Sequence, residues 1–149
     1  MAASFVSSAS SYGGGRVAVT ASQDHGATFG AAVVVQDTVT SRRSDPVLAI
    51  DPTGAHLYLG WIGYDRSGGT SNNYRVFVAR SDDAGLTWPT AFIEDATTTD
   101  STKGPMSRPW LAAGPGGTVY VAYVLGSGSS ATIKVARSSD SGATWDEPV

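Results

Sequence analysis

One eight-residue pattern occurs three times in this 149-residue chain, and it constrains the fold more than any other feature. The copies are Ser22–Phe29, Ser81–Trp88 and Ser138–Trp145, and they share the pattern S-x-D-x-G-x-T followed by Trp or Phe. Their aspartates, at positions 24, 83 and 140, are 59 and 57 residues apart. Self-similarity at a nearly fixed period indicates a structural repeat. The chain is therefore expected to contain successive copies of one supersecondary unit.

Short apolar stretches surround each copy of the pattern. An alternating run precedes each one, as in Val76–Val78, and two further apolar stretches separated by a Pro- and Gly-containing turn lie upstream of the second and third copies. Alternation with period two predicts β-strands. The middle repeat is thus expected to hold four strands, A to D, at about 47–50, 56–63, 75–80 and 91–94. No sustained helical periodicity occurs, and four antiparallel strands per unit are typical of propeller blades.

The predicted fold class is all-β, with propeller blades of four antiparallel strands and about two and a half to three blades in an incomplete ring. We treat 1–149 as a single segment without an internal domain boundary. The first blade (1–36) lacks its first strand, the second spans 45–95, and the third (107–149) has a truncated last strand. Since blades at the ends of an open arc expose unpaired edges, such an arc is expected to associate. The partner is either the remainder of a larger chain or a second copy.

The repeated pattern lies between strands C and D and is therefore predicted to form a hairpin turn. Its Gly supplies a positive φ, its Asp accepts backbone N–H groups, its hydroxyls close the same network, and its aromatic residue anchors the turn in the core. A catalytic carboxylate would not recur unchanged in three repeats, so the interpretation is structural. The residues concerned are Ser22, Asp24, Gly26, Thr28, Phe29, Ser81, Asp83, Gly85, Thr87, Trp88, Ser138, Asp140, Gly142, Thr144 and Trp145.

This pattern resembles the Asp-box, or bacterial neuraminidase repeat, of the sialidase superfamily. The resemblance implies a propeller segment related to exo-acting glycoside hydrolases that act on terminal glycan sugars. A non-enzymatic propeller used for binding or scaffolding is the alternative. In that family the active site lies away from the Asp-box, and it combines an arginine cluster, a tyrosine nucleophile assisted by a glutamate, and an aspartate. Arginine suits a carboxylate substrate because its guanidinium fork binds it bidentately.

The chain departs from the family at the catalytic positions. The family's Arg-Ile-Pro motif has its nearest parallel in Ser107-Arg108-Pro109, which lacks the Ile. The only glutamates are Glu94 and Glu147, and neither has a recognisable catalytic position. The chain is therefore not expected to be catalytically complete alone, and its catalytic residues stay unassigned.

Blade topology predicts which end carries a site. The A–B and C–D turns share one end, whereas the B–C loops (10–15, 64–73, 125–130) and the D–A crossovers (36–45, 95–108) share the other. Longer loops of this kind usually carry function. The substrate-binding candidates on this end are Arg108, Arg43, Arg42, Tyr64 and Asp65, with further charges at Arg66, Asp95, Asp100 and Lys103. Solvated loop charge is the alternative interpretation. Trp61 and Trp110 are expected in the core between blades, and stacking on a sugar ring is the alternative for them.

Composition excludes several other classes. A net charge of −3 argues against nucleic acid, and no apolar run approaches the length of a membrane span. The chain contains no cysteine, and its two histidines lack metal-ligand spacing, so no metal or cofactor is expected. The expected partners are a glycan or small sugar and further propeller blades. A secreted or cell-surface location is expected, although no signal peptide is visible.

Overall fold

Ten β-strands make up nearly all the regular structure in the computed structural model, which describes residues 2–10, 13–35, 38–95 and 105–149. They form three antiparallel sheets, in the orders β1-β2-β3, β4-β5-β6-β7 and β8-β9-β10. The strands are β1 (Ala2–Ser10), β2 (Gly13–Ser22), β3 (Val33–Val35), β4 (Arg42–Ile50), β5 (Leu57–Ser67), β6 (Thr70–Ser81), β7 (Thr90–Asp95), β8 (Met106–Ala113), β9 (Val119–Leu125) and β10 (Thr132–Ser138). Two short 3₁₀ turns, Pro115–Gly117 and Gly128–Ser130, flank β9.

The second sheet is buried on both faces because the other two sheets pack against it. Leu59 and Trp61 of β5 pack with Val17 and other residues of the first sheet, in what we call the first interface. Tyr58 of β5 packs with Val121 and other residues of the third sheet, in the second interface. This face-to-face stacking of consecutive antiparallel sheets is that of propeller blades. The predicted fold class, an incomplete all-β propeller of about three blades, is therefore confirmed.

The three copies of the repeated pattern form nearly identical turns. In the first, Asp24 Oδ1 accepts hydrogen bonds from the Ser22 hydroxyl (2.7 Å) and the Thr28 N–H (2.8 Å), and Asp24 Oδ2 accepts one from the Thr28 hydroxyl (2.6 Å). Asp83 and Asp140 accept the equivalent bonds at 2.6–2.9 Å. The residue before each Gly also has a positive φ, as does the Gly itself. Two successive left-handed residues therefore reverse the chain around the carboxylate.

These hydrogen bonds predict a loss of stability in acid. They come mainly from the threonine hydroxyl and N–H, and they lower the pKa of Asp24, Asp83 and Asp140 from 3.8 to about 2. Because the folded-state pKa is depressed, this contribution is present above pH 4 and is lost as the pH falls through 2. The melting temperature followed by circular dichroism should therefore fall between about pH 4 and pH 2. Asp83→Asn should flatten that dependence, and an unchanged slope would contradict the assignment.

Two predicted core positions of aromatic residues are wrong. Trp88 and Trp145 pack against the first and second interfaces respectively, whereas Phe29 is 48% exposed. In the second and third turns the aromatic residue packs at the interface with the preceding sheet, whereas no described sheet precedes the first. Trp61 is fully buried as predicted, but Trp110 is 72% exposed because it lies on the face of the third sheet that points away from the second.

Within residues 2–10, 13–35, 38–95 and 105–149, no helix has the length and apolar character needed to cross a membrane. No group of His, Asp and Glu side chains in that same part of the chain is arranged to hold a metal ion.

Candidate functional site

A groove of about 590 Å³ lies between the second and third sheets, at the end opposite the repeated turns. It is bounded by the start of β4, the β5–β6 hairpin, the start of β8 and the loop after β9. The lining residues are Ser44, Asp45, Tyr64, Ser71, Tyr74, Pro105, Met106, Ser107, Arg108, Val124, Gly126, Ser127, Gly128 and Ala131. One wall of the groove therefore belongs to the second sheet and the other to the third sheet.

Matching bulges in β4 and β8 bring two charged residues to this groove. The strand register breaks between Ser44 and Val47 in β4 and between Ser107 and Trp110 in β8. Asp45 and Arg108 occupy these bulges with φ values of 53° and 54°, each directly before a proline. Such a backbone is uncommon for residues other than glycine, and bulges redirect side chains beside functional sites. Strain of this kind is often retained where function needs it.

The two charged residues also meet across the boundary between the sheets. The backbone N–H of Arg108 donates to Oδ2 of Asp45 at 3.4 Å. The contact joins equivalent positions of two neighbouring blades, because Ser44-Asp45-Pro46 and Ser107-Arg108-Pro109 correspond in sequence and in register. The groove therefore presents a carboxylate and a guanidinium from the same structural position in successive repeats.

A pair of tyrosines lines the groove beside these charges. Tyr64 of β5 and Tyr74 of β6 stack with ring centroids 5.3 Å apart and an interplanar angle of 18°. Both are half-buried and pack against the second interface. Tyrosine combines an apolar ring with a polar hydroxyl, so the pair offers both a flat apolar surface and hydrogen-bonding groups.

The structure separates the five predicted binding residues into two groups. Arg108 and Tyr64 line the groove, whereas Arg42, Arg43 and Asp65 are not among its lining residues. Asp65 accepts hydrogen bonds from the Asn73 amide (2.7 Å) and the Ser41 N–H (2.8 Å), which lower its pKa.

The two arginines of β4 have contacts within their own blade. Arg43 donates from Nη2 to the Thr40 carbonyl at 2.6 Å, and Arg42 pairs with Tyr64 in the β4–β5 ladder. Asp45, and not Arg43, occupies the position in β4 that Arg108 has in β8. Asp45 was not predicted as a site residue, although the alignment of the two Ser-x-Pro segments is the signal that identifies it.

Two predicted loops are shorter than expected. Residues 64–73 form most of a hairpin, since β5 continues to Ser67, β6 begins at Thr70, and Gly68 and Gly69 make the turn. The crossover before the second sheet ends earlier, because β4 begins at Arg42. The ends of β5 and β6 extend into solvent and carry polar residues, so they lack the apolar alternation by which a strand is predicted from sequence. The predicted crossover residues Asp100 and Lys103 lie outside the described residues, as does the side chain of Asp95.

A second cavity of about 200 Å³ lies at the opposite end, beside the third repeated turn. Asp82 forms an ion pair with Arg80 (2.8 Å) and contacts His56 Nδ1 (2.7 Å). Arg80 Nη1 also donates to the Ser141 carbonyl at 2.9 Å, across the second interface. The charged groups here are thus paired with one another and connect the sheets.

Comparisons with known proteins give a structural likeness only. No family model matches the sequence, and no curated protein matches it. Among solved structures, the chain is similar to an α-L-arabinanase from Penicillium chrysogenum complexed with arabinobiose. The TM-score is 0.66 at 20% sequence identity, over 99% of this chain and 45% of that one. The chain therefore spans less than half the length of that enzyme, with which it shares a propeller fold.

Proposed function

We propose that this chain is a carbohydrate-binding segment of a glycoside-hydrolase-like propeller, and that the groove between the second and third sheets holds the sugar. The observation that carries the proposal is the stacked pair Tyr64–Tyr74 beside Asp45 and Arg108 in one groove. Ligand sites typically combine apolar and aromatic walls with a few polar groups that fix orientation. A sugar ring can lie on such an aromatic surface while its hydroxyls bond to the charged groups.

Two observations support a sugar as the ligand. One structural neighbour is a propeller glycosidase complexed with a disaccharide. The repeated turns resemble the Asp-box, which implies a relation to enzymes of terminal glycan sugars. We further propose that the preferred sugar carries a carboxylate, as sialic acid does, because Arg108 lines the groove and arginine binds carboxylates bidentately.

Binding is proposed ahead of hydrolysis. Most glycosidases use a pair of carboxylates flanking the scissile bond. Among the described residues that line this groove, Asp45 is the single carboxylate. Sialidases, which the repeated turns resemble, are an exception with a tyrosine nucleophile assisted by a glutamate. No glutamate is among the described residues that line the groove, so a binding module is favoured over a complete hydrolase on this count as well.

Titration with a small panel of sugars tests the proposal. Sialyllactose, lactose and arabinobiose would be titrated into the protein and followed by calorimetry and by NMR. The expected result is saturable binding of sialyllactose, reduced at least about tenfold in Tyr64→Ala because stacking area is lost. Tyr120→Ala, on the far face of the third sheet, is the matched control and should bind normally.

Two outcomes would count against parts of this proposal. Absence of binding to every sugar, or equal loss in Tyr64→Ala and Tyr120→Ala, would reject the groove as a sugar site. Release of the fluorophore from a fluorogenic sialoside or arabinoside would replace binding with hydrolysis as the function.

A further inference from the structure

The outer face of the third sheet, which points away from the second sheet, is apolar and uncovered by the described residues. Trp110 of β8 and Ile133 of β10 are each 72% exposed, and Tyr120 of β9 lies between them on the same face. Large apolar side chains grouped in this way on a soluble protein mark an interaction surface.

Each residue of this outer face has a counterpart in the second interface. The correspondence follows from the shared strand registers and repeated turns. The equivalent pairs are Trp110 with Val47, Tyr120 with Tyr58, Ile133 with Val76, and Val135 with Val78. The second-sheet members of these pairs all pack at the interface that the third sheet covers. The outer face thus has the residue arrangement of an interface that already binds a blade.

A polar contact of that interface has a counterpart as well. Arg80 stands beside Tyr58 in the ladder and donates to the Ser141 carbonyl, in the repeated turn of the following sheet. Arg137 stands beside Tyr120 in the same register. Its side chain is 47% exposed, and its Nη1 lies 3.9 Å from Asp146 Oδ2, a contact long enough to leave other guanidinium N–H groups available for a further acceptor. In the first sheet this position is Ala21, which cannot donate from its side chain. The third sheet therefore carries an arginine suited to a repeated turn on another sheet.

The first sheet offers the complementary surface. Its turn residues 23–30 are all exposed, including His25, which corresponds to Ser141. Phe29 and Val34 are nearly half exposed. The counterparts of Phe29 in the other turns, Trp88 and Trp145, pack at the interface with the preceding sheet. Phe29 is therefore exposed on the side where a preceding sheet would lie.

We propose that the outer face of the third sheet binds the first sheet of a second copy of this chain. In this contact Arg137 donates to the His25 carbonyl of the second copy, as Arg80 does to Ser141 within one chain. Since the two surfaces differ, the contact is heterologous, and two copies close it by forming it twice around a two-fold axis. Six sheets then stand in one ring.

Solution mass provides the first test. Size-exclusion chromatography with light scattering should give twice the 15.3 kDa of one chain. Trp110→Glu should raise the dissociation constant about 30-fold or more, as loss of a central aromatic anchor does, without changing the circular dichroism spectrum. Leu86→Glu is the matched control, because Leu86 is 70% exposed in a turn of the second sheet, and it should remain dimeric. A wild-type monomer, or an unchanged mass for Trp110→Glu, would overturn the proposal.

Cross-linking tests the arrangement without relying on Trp110. The chain has no cysteine, so His25→Cys and Arg137→Cys each introduce a single thiol. Position 25 should accept the change, because Ala84 and Ser141 occupy the same left-handed position in the other turns. A short bis-maleimide should give a covalent dimer when the two variants are mixed and little in either alone. Efficient cross-linking of one variant with itself would indicate a different interface and reject the proposal.

Discussion

Trp61→Ala is expected to lower the free energy of unfolding by about 3–5 kcal/mol. Trp61 is fully buried, and its ring stacks on Phe77 of the adjacent strand with centroids 5.2 Å apart. Both rings belong to the core of the first interface, so the cavity would weaken the contact between two sheets as well as the second sheet itself. Chemical denaturation monitored by circular dichroism measures the effect at fixed protein concentration.

Leu86→Ala is the control for that experiment. Leu86 is mostly exposed, and its backbone N–H keeps its bond to Asp83 in the variant. Its unfolding free energy should stay within about 0.5 kcal/mol of the wild type, as is usual for surface substitutions. If Trp61→Ala lowered the unfolding free energy no more than this control does, the packing of Trp61 in the first interface would contribute little to stability.

Arg108→Asn is expected to weaken binding of a carboxylate-bearing sugar by about tenfold to a hundredfold, as loss of a charge-assisted hydrogen bond does. Asparagine tolerates the left-handed backbone that Arg108 adopts, so the bulge should persist while the charge is removed. Binding of neutral lactose should change far less. Calorimetric titration of both sugars measures the difference.

Arg66→Asn provides the matched control for this charge. Arg66 is exposed near the end of β5 and does not line the groove. The Arg66→Asn variant should bind the carboxylate-bearing sugar and lactose with the affinities of the wild type. If Arg108→Asn weakened acidic and neutral sugars equally, Arg108 would support the shape of the groove without selecting the carboxylate.

The fold was largely predictable because one turn chemistry recurs. A carboxylate that accepts three or more local hydrogen bonds requires the same Ser, Gly and Thr around it each time, so three copies predicted three sheets. Strand ends were less predictable. Residues 64–73 have the polar composition that is typical of a loop, yet the β5–β6 ladder continues through them.

The candidate site was predictable only in part. Its end of the propeller and two of its residues, Arg108 and Tyr64, follow from strand order and position. Asp65 accepts a hydrogen bond from the Ser41 N–H, and Arg43 donates one to the Thr40 carbonyl. No sequence motif predicts either pair. Trp110 shows a related limit, because alternation reveals two faces of a strand but not which face another sheet covers.

The order of the strands within each sheet determines how far apart in sequence two hydrogen-bonded strands are. Every ladder among the described residues joins strands that are neighbours in sequence. Closing such short loops costs little chain entropy, and local pairings form quickly compared with distant ones. Pairing within each sheet is therefore expected to precede the contacts between sheets, which join residues farther apart in sequence and complete the core.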